Sequence, residues 1–247
     1  MQNNYTLGCK ADPKDDRDLM LASYIIPKKL PKSINWLNMN IPVLNQGDKP
    51  ACVGYSSAGM KQEQEMLEYK QVINFSGLDF YNRLKQLDGM PNEAGTFIRV
   101  AVKTLQEEGI KDSINGIYKI ESYASVKSVE ELKYAIVANG YALIGVDVFD
   151  SFYKPADGVI DYKEGEKSNG LHAIYVGAYD DNTEKFIFKN SWGADWGLGG
   201  YSYLTYKYVE KTLNDAWTTI DMENPTSPAS SLFDITRLRK DLSIIKS

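Results

Sequence analysis

The chain has 247 residues and a formal net charge of −5, long enough to bury a substantial core without cross-links. Hydrophobic residues make up 43% and charged residues 25%, the balance of a soluble globular protein, and the mildly acidic surface without a basic run gives no support for nucleic-acid binding. Two cysteines only, Cys9 and Cys52, exclude a secreted scaffold held by several disulfides.

The first residues, Met1 to Tyr5, offer neither a basic n-region nor an apolar h-region, so the sequence shows no signal peptide. No stretch approaches the roughly 18 apolar residues of a membrane span. The expectation is a soluble protein, cytoplasmic or secreted by a route that the sequence does not show. Residues 1–39 read as an extended N-terminal arm. The run Asp12-Pro13-Lys14-Asp15-Asp16-Arg17-Asp18 is charged and, by composition, a solvated segment, and Pro27 and Pro31 break any long helix.

A helix is expected to begin at or just after Cys52 and to reach about Lys70, since the stretch has no proline and good helix formers follow Ala58. Phe97, Ile98, Ala101, Val102 and Leu105 recur at helical spacing, and Gly109 marks a stop. A third helix is predicted from Ser128 to Asn139, with Ser128 and Glu131 at capping-box spacing, Leu132, Ala135 and Ile136 as the buried stripe, and Gly140 as terminator. Beyond Gly140 the pattern changes to short β-branched or aromatic runs, at 141–148, 171–179, 185–189 and 201–206, with a hairpin turn at Asp180-Asp181-Asn182. A helical first half and a stranded second half predict an α+β protein of two lobes with a cleft between them. Residues 40–222 form the expected core, helical over about 40–139 and β-rich over about 140–222. Residues 223–247, opened by Pro225, Ser227 and Pro228, read as a linker and a short peripheral helix.

Thiol chemistry needs a thiolate, a base to generate it and donors for an oxyanion. Cys52 sits at a loop-to-helix junction, where free N–H groups and the helix dipole lower a thiol pKa. Gln46 lies six residues earlier in the turn-rich Asn45-Gln46-Gly47-Asp48-Lys49-Pro50. A loop of that length can aim the Gln46 amide at the same point as the Cys52 backbone N–H. His172 is the single histidine and so the single imidazole base available. Asn190 ends the strand after the hairpin, and neighbouring antiparallel strands bring its side-chain oxygen toward a ring nitrogen of His172, which fixes the tautomer. Trp192 and Trp196 follow, and an indole over this pair keeps water from it. Taken singly, a cysteine and a tryptophan are ordinary core residues; the joint pattern carries the argument.

That pattern resembles the papain family of cysteine peptidases. Its nucleophile segment, Q-G-x-C-G-x-C-W, stands here as Gln46-Gly47-Asp48-Lys49-Pro50-Ala51-Cys52-Val53. Its histidine segment appears as Gly170-Leu171-His172-Ala173-Ile174-Tyr175-Val176-Gly177, and its asparagine segment as Lys189-Asn190-Ser191-Trp192-Gly193-Ala194-Asp195-Trp196-Gly197-Leu198-Gly199-Gly200-Tyr201. Lys49 departs from the usual disulfide cysteine and Val53 from the tryptophan that follows the nucleophile. Phe75-Ser76 and Gly95-Thr96-Phe97-Ile98-Arg99 look like the bacterial branch that includes xylellain, in which a short N-terminal extension lies over part of the cleft.

The resemblance implies a papain-like fold, a helical left lobe and a β-rich, barrel-like right lobe. It implies a cysteine-type endopeptidase acting on peptide or protein substrates through Cys52, His172 and Asn190, with Gln46 in the oxyanion hole. Gly95, Ala173 and Trp192 are expected to line the substrate groove, and the arm of residues 1–39 to restrain the site. No metal or organic cofactor is implied. An acyltransferase differs only in what resolves the thioester. A non-catalytic papain-fold binding module, gated shut, is the alternative from another class. One histidine and two cysteines do not make a usual zinc site without carboxylates.

Overall fold

The run from Leu171 to Asp180 is apolar on both of its faces, and it forms the strand around which the others assemble. The computed structural model describes residues 5–221 together with 232, 234, 236–238, 240 and 241. In chain order the elements are β1 (Cys9–Lys10), a 3₁₀ turn (Leu21–Ser23), β2 (Ser33–Asn35), α1 (Cys52–Tyr69), α2 (Gly77–Leu87), β3 (Thr96–Phe97) and α3 (Ile98–Glu107). There follow β4 (Ile110–Lys111), β5 (Ile117–Tyr118), β6 (Ile120–Ser125), α4 (Val129–Asn139), β7 (Ala142–Asp147), α5 (Asp150–Tyr153) and β8 (Val159–Ile160). The last are β9 (Leu171–Asp180), β10 (Lys185–Lys189), β11 (Tyr201–Thr205), α6 (Tyr206–Thr212) and β12 (Leu213–Asp221). None of the described helices is long and apolar enough to cross a membrane.

Ten strands form one sheet with the order β6-β12-β7-β9-β10-β11-β8, and β1 and β2 add to β9. The path does not close on itself, so the β-rich half is an open sheet rather than a closed barrel. β9 pairs with β7 in the register Val146↔His172 and Gly145↔Ala173, and with β10 in the register Lys189↔Tyr175. Its residues from His172 to Tyr179 are all buried, the mark of a strand covered on both faces. One apolar cluster joins α4 and α6 to the sheet; a second joins α1, α2 and α3 to it.

The predicted helices hold within a residue or two. Ser128 caps α4 by accepting from Glu131 N at 3.1 Å, and Gly140 leaves that helix at a φ of 86°. The expected division into a helical first half and a stranded second half needs amendment. β6 lies inside the first half, where Ile120-Glu121-Ser122-Tyr123 alternates buried and half-buried side chains, and its partner β12 was hidden because nearly every residue of it is buried. α2 also goes beyond the sequence reading, although Ser76 caps it through Asp79 N at 3.1 Å. The linker expected from Asn224 lies outside the described residues. Of the segment beyond it, Leu232 and Leu238 are buried in the cluster that holds Leu21 and Tyr24.

Helix α1 is buried over its first fourteen residues except Tyr55, polar side chains included. Gly59 permits this approach: a Cβ there would sit 2.7 Å from the Tyr175 ring on β9. Glu63 is therefore enclosed, and it accepts from Lys189 Nζ at 3.2 Å, from Tyr175 Oη at 3.3 Å and from Asn38 N at 3.0 Å. Lys189 also donates to Ile41 O at 2.6 Å. Burial pushes the Glu63 carboxyl up and the Lys189 ammonium down, and each partner offsets the other's shift. Removing one member of a buried pair strands the other charge, at a cost of about 3–5 kcal/mol. Glu63→Ala is expected to lower the free energy of urea unfolding by that amount; a loss below about 1 kcal/mol would show that the pair holds nothing together.

Candidate active site

Cys52 is the first residue of α1, and the residue before it, Ala51, offers no side-chain cap. The first-turn N–H groups are thus free to act on whatever lies at the helix start. Ala173 N donates to Cys52 Sγ at 3.5 Å, and the backbone N–H groups of Gly8 and Val53 also act on the sulfur. The thiol is fully buried. Burial pushes it up to about 11, and the N–H groups draw it only part of the way back.

His172 is the second residue of β9, next to Ala173, and is fully buried. Its Nε2 lies 2.8 Å from Asn190 Oδ1. The same oxygen accepts from Ser191 N at 2.8 Å, which settles the orientation of the amide. An amide oxygen only accepts, so Nε2 carries the proton and Nδ1 keeps its lone pair. Nδ1 has no hydrogen-bond partner among the described residues. Burial pulls the imidazole down to about 4, against the opposing pull of the Asn190 bond. Trp192 covers the pair, its ring centroid 4.5 Å from that of His172, and Phe152 meets the imidazole edge-on at 5.8 Å.

Gln46 is held from both sides of its amide. Its Oε1 accepts from Ser191 Oγ at 2.7 Å, and its Nε2 donates to Lys49 O and to Thr6 O, each at 2.8 Å. The amide therefore already carries a peptide oxygen, and that oxygen comes from the N-terminal arm.

Residues 5–12 run along the groove. Tyr5 stacks on Trp192 with centroids 4.5 Å apart and planes at 7°; Tyr153 stacks at 5.6 Å with planes at 3°. Gly8 O accepts from Thr96 N at 3.0 Å. Cys9 then pairs in parallel with Thr96 and antiparallel with Leu171, so β1 bridges the helical side and the sheet. Glycine is required where the arm passes the thiol. A Cβ on Gly8 would lie 2.0 Å from Pro50 O, and one on Gly95, whose φ is +79°, would lie 2.8 Å from Gly8 O. Cys9 and Cys52 are both free thiols.

The fold thus gathers Gln46, Cys52, Gly95, Ala173, His172, Asn190 and Trp192 around a single groove. Sequence reading missed Ser191, Tyr153 and Phe152, which support the Gln46 amide, the Trp192 ring and the imidazole, as well as Tyr5, Thr6 and Gly8. Ser191 had a visible signal, since it stands between Asn190 and Trp192; the arm residues had none. Among the described residues, the carboxylates close enough together to hold a cation are Glu65, Glu68 and Asp221, but the buried Lys61 ammonium already pairs with Glu65 and Asp221.

A dry thiol at a helix start, an imidazole oriented by an amide and a groove that holds extended peptide are the architecture of a papain-like thiol protease. The profile of the papain family cysteine proteases matches residues 81–216, more than half of the sequence. The chain belongs to the papain family of cysteine proteases. Its structure is similar to that of xylellain, a cysteine protease from Xylella fastidiosa, with a TM-score of 0.75 at 22% identity over 89% of this chain and 97% of that one. It also resembles digestive procathepsin L 3 of Tenebrio molitor larval midgut, with a TM-score of 0.66 at 18% identity over 88% of this chain and 76% of that one. In sequence it is 27% identical to an uncharacterised peptidase C1-like protein of Acanthamoeba polyphaga mimivirus over 66% of this chain, and 26% identical to the viral cathepsin of Cydia pomonella granulosis virus over 80% of it. The matches span 62% and 65% of those two relatives.

The steric fit at Gly8 yields a direct check. Gly8→Ala is expected to lift the arm and raise the rate at which a small neutral thiol reagent modifies Cys52, followed at one pH by peptide mapping, at least tenfold. An unchanged rate would mean that the contact with Pro50 does not seat the arm.

Proposed function

We propose that the protein is a cysteine-type endopeptidase working through a Cys52 thiolate and a His172 imidazolium, with residues 40–222 as its catalytic unit. The observation that carries this reading is the bond from His172 Nε2 to Asn190 Oδ1 at 2.8 Å. It leaves the Nδ1 lone pair open on the strand whose next residue, Ala173, touches the thiol. In the proposed reaction Nδ1 takes the Cys52 proton and the sulfur attacks a substrate carbonyl carbon. The tetrahedral oxyanion receives the Cys52 backbone N–H and Gln46 Nε2. His172 then returns the proton to the departing amine, leaving a thioester on Cys52. Water, deprotonated by His172, attacks the thioester, and collapse of that second intermediate releases the carboxylate and restores the thiol. The Thr6 carbonyl on Gln46 Nε2 supports the oxyanion assignment, because it shows that a peptide oxygen fits against that donor. Gly95, Ala173 and Trp192 line the peptide groove in this reading, and the substrate is a peptide or protein.

The arm restrains this chemistry. With residues 5–12 in place the site is dry, burial holding the thiol up at about 11 and the imidazole down at about 4. Burial thus disfavours the charged form of both groups and holds the ion pair back while the arm is in place. Displacing the arm admits water and substrate and lets the pair charge. A self-covered binding module, the alternative reading, draws on the same occupied groove, and kinetics separates the two.

A protein lacking residues 1–11 keeps Leu21 and Tyr24, which are buried in the core. It is expected to hydrolyse a small fluorogenic peptide with a higher kcat/KM than the full chain, along a bell-shaped pH profile whose acid limb reports formation of the pair and whose alkaline limb reports its deprotonation. Cys52→Ala and His172→Ala in that background should each abolish turnover. Retention of several per cent of kcat by either would end the assignment, and absence of turnover in the truncated protein itself would favour the binding module. Gln46→Ala should lower kcat by about 10²-fold, the usual scale for an oxyanion donor; an unaltered kcat would remove Gln46 from that role.

A further inference from the structure

On its helical side the groove meets an extended peptide with the short strand β3, and that edge has to stand in register with the thiol. Gly8 gauges the register: its carbonyl accepts from Thr96 N at 3.0 Å, and its N–H acts on the Cys52 sulfur. One peptide residue therefore reaches from the edge to the sulfur, and a displaced edge would break one contact or the other. Yet β3 has two residues, and among the described strands it pairs with β1 of the arm alone. The loop before it, residues 88–95, carries no helix or strand. Both cysteines are free, and Lys49 stands where the family pattern has a disulfide cysteine, so no covalent bond ties the loop down.

Two side chains of α2 hold it instead. Lys85 Nζ donates to Asp88 Oδ2 at 2.6 Å, to Met90 O at 2.8 Å and to Gly95 O at 3.0 Å, which uses all three ammonium protons. Asp88 Oδ1 accepts in turn from Met90 N at 2.9 Å. One turn earlier on the same face of α2, Tyr81 Oη accepts from Gly95 N at 3.1 Å. The peptide groups on both sides of Gly95 are thus pinned. The second of them joins the Gly95 carbonyl to the Thr96 N–H in one plane, so fixing the oxygen on Lys85 fixes the direction in which Thr96 N points. The other end of Tyr81 rests on the nucleophile's own helix. A Cβ on Gly54 would lie 2.4 Å from Gly77 O and 2.6 Å from Tyr81 Cβ, so α2 lies directly against the first turn of α1, two residues after Cys52. Tyr81 is a strut between that turn and the groove edge.

We propose that Tyr81 and Lys85 are positioning residues, which hold the Gly95–Thr96 peptide at the distance and angle from Cys52 that an extended peptide needs. The consequence for turnover rests on the proposed peptidase reading; the placement of the edge does not. The bonds of the two side chains go to Asp88, Met90 and Gly95, not to Cys52, His172 or Asn190. They act on the reaction through Thr96 N alone. A substrate that reaches this donor depends on them, and one too short to reach it does not.

The test compares two substrates of the full chain: a blocked fluorogenic tripeptide, which reaches Thr96 N, and 4-nitrophenyl acetate, which acylates a thiol without offering any peptide group. The arm competes with both, so the ratio of their kcat/KM values cancels its occupancy. In Lys85→Met the ratio of peptide to ester is expected to fall at least about tenfold, the scale of a lost hydrogen bond to a charged group, and in Tyr81→Phe about threefold, the scale of a neutral one. The rate on the ester should stay within about twofold of wild type in both variants. A ratio that does not change overturns the proposal, and so does an equal fall on both substrates, which is the mark of a merely structural role. Tyr81→Phe removes one oxygen and carries the test if Lys85→Met does not fold. Hydrogen exchange of the Thr96 amide, referred to the α1 amides, reads the same edge without turnover and is expected to quicken at least about tenfold in Lys85→Met. If the exchange quickens while wild type acts on neither substrate, the peptidase reading ends and the positioning stands; peptide turnover with an unchanged ratio and unchanged exchange ends the positioning alone.

Discussion

A single buried carboxylate registers the parts of the site against one another. Cys52 comes from α1, His172 from β9 and Asn190 from the end of β10, and no local rule relates a helix start to two strands that follow it by more than a hundred residues. Glu63 relates them. It sits on α1, receives Lys189, the residue before Asn190, and receives Tyr175, three residues after His172. It also fixes the loop that precedes α1, through Asn38 N. Apolar side chains of the same volume would fill this space, but they would tolerate sliding of the helix along the sheet. A carboxylate with three donors does not, because each bond has a length and a direction. The desolvation of Glu63 and Lys189 is the cost of that definition, visible in the opposite directions in which burial shifts them.

With the helix fixed, the groove presents side-chain and main-chain groups to the arm. The arm takes them up: Gln46 Nε2 holds Thr6 O, Thr96 N holds Gly8 O, and Trp192 holds the Tyr5 ring. The contacts to Thr6 O and Gly8 O use main-chain carbonyls that any extended peptide offers, so part of the arm's fit is general complementarity. Its own sequence enters at Tyr5, whose ring stacks on Trp192, at Gly8, where Pro50 O leaves no room for a side chain, at Lys10, which pairs with Glu93, and at Asp12, which accepts from Trp217.

Much of this was legible in the residues and some of it was not, for physical reasons. α3 and α4 declared themselves through helical spacing, the Ser128 cap and glycine stops at 109 and 140. That Gln46, Cys52, His172 and Asn190 come together was legible because motif spacing survives even where Lys49 and Val53 depart from the family pattern. β12 was not, since a strand buried on both faces has no alternation to read, and its acidic ends look like loop. Lys61 and Glu63 were not, because a charged residue in a helix reads as a solvent face unless its distant partner is known. The charged run of the arm was read as solvated, and for Lys14 and Asp16 that holds; Asp12 differs because its partner lies two hundred residues away on β12.

The arm divides into two parts that are anchored differently. Residues 5–12 are held by main-chain bonds, the Tyr5–Trp192 ring stack, the Lys10–Glu93 ion pair and the bonds of Asp12 to Trp217 and Asp215. Farther along, Leu21 and Tyr24 are buried in the core, β2 pairs with β9, and Trp36 Nε1 donates to Ile136 O at 2.9 Å. If the first part undocks, the second, anchored in the core and on β9, keeps it tethered a short chain length from where it binds. A tether that short keeps an effective concentration on the order of millimolar. A ligand for the groove competes with the arm at that concentration whatever the protein concentration.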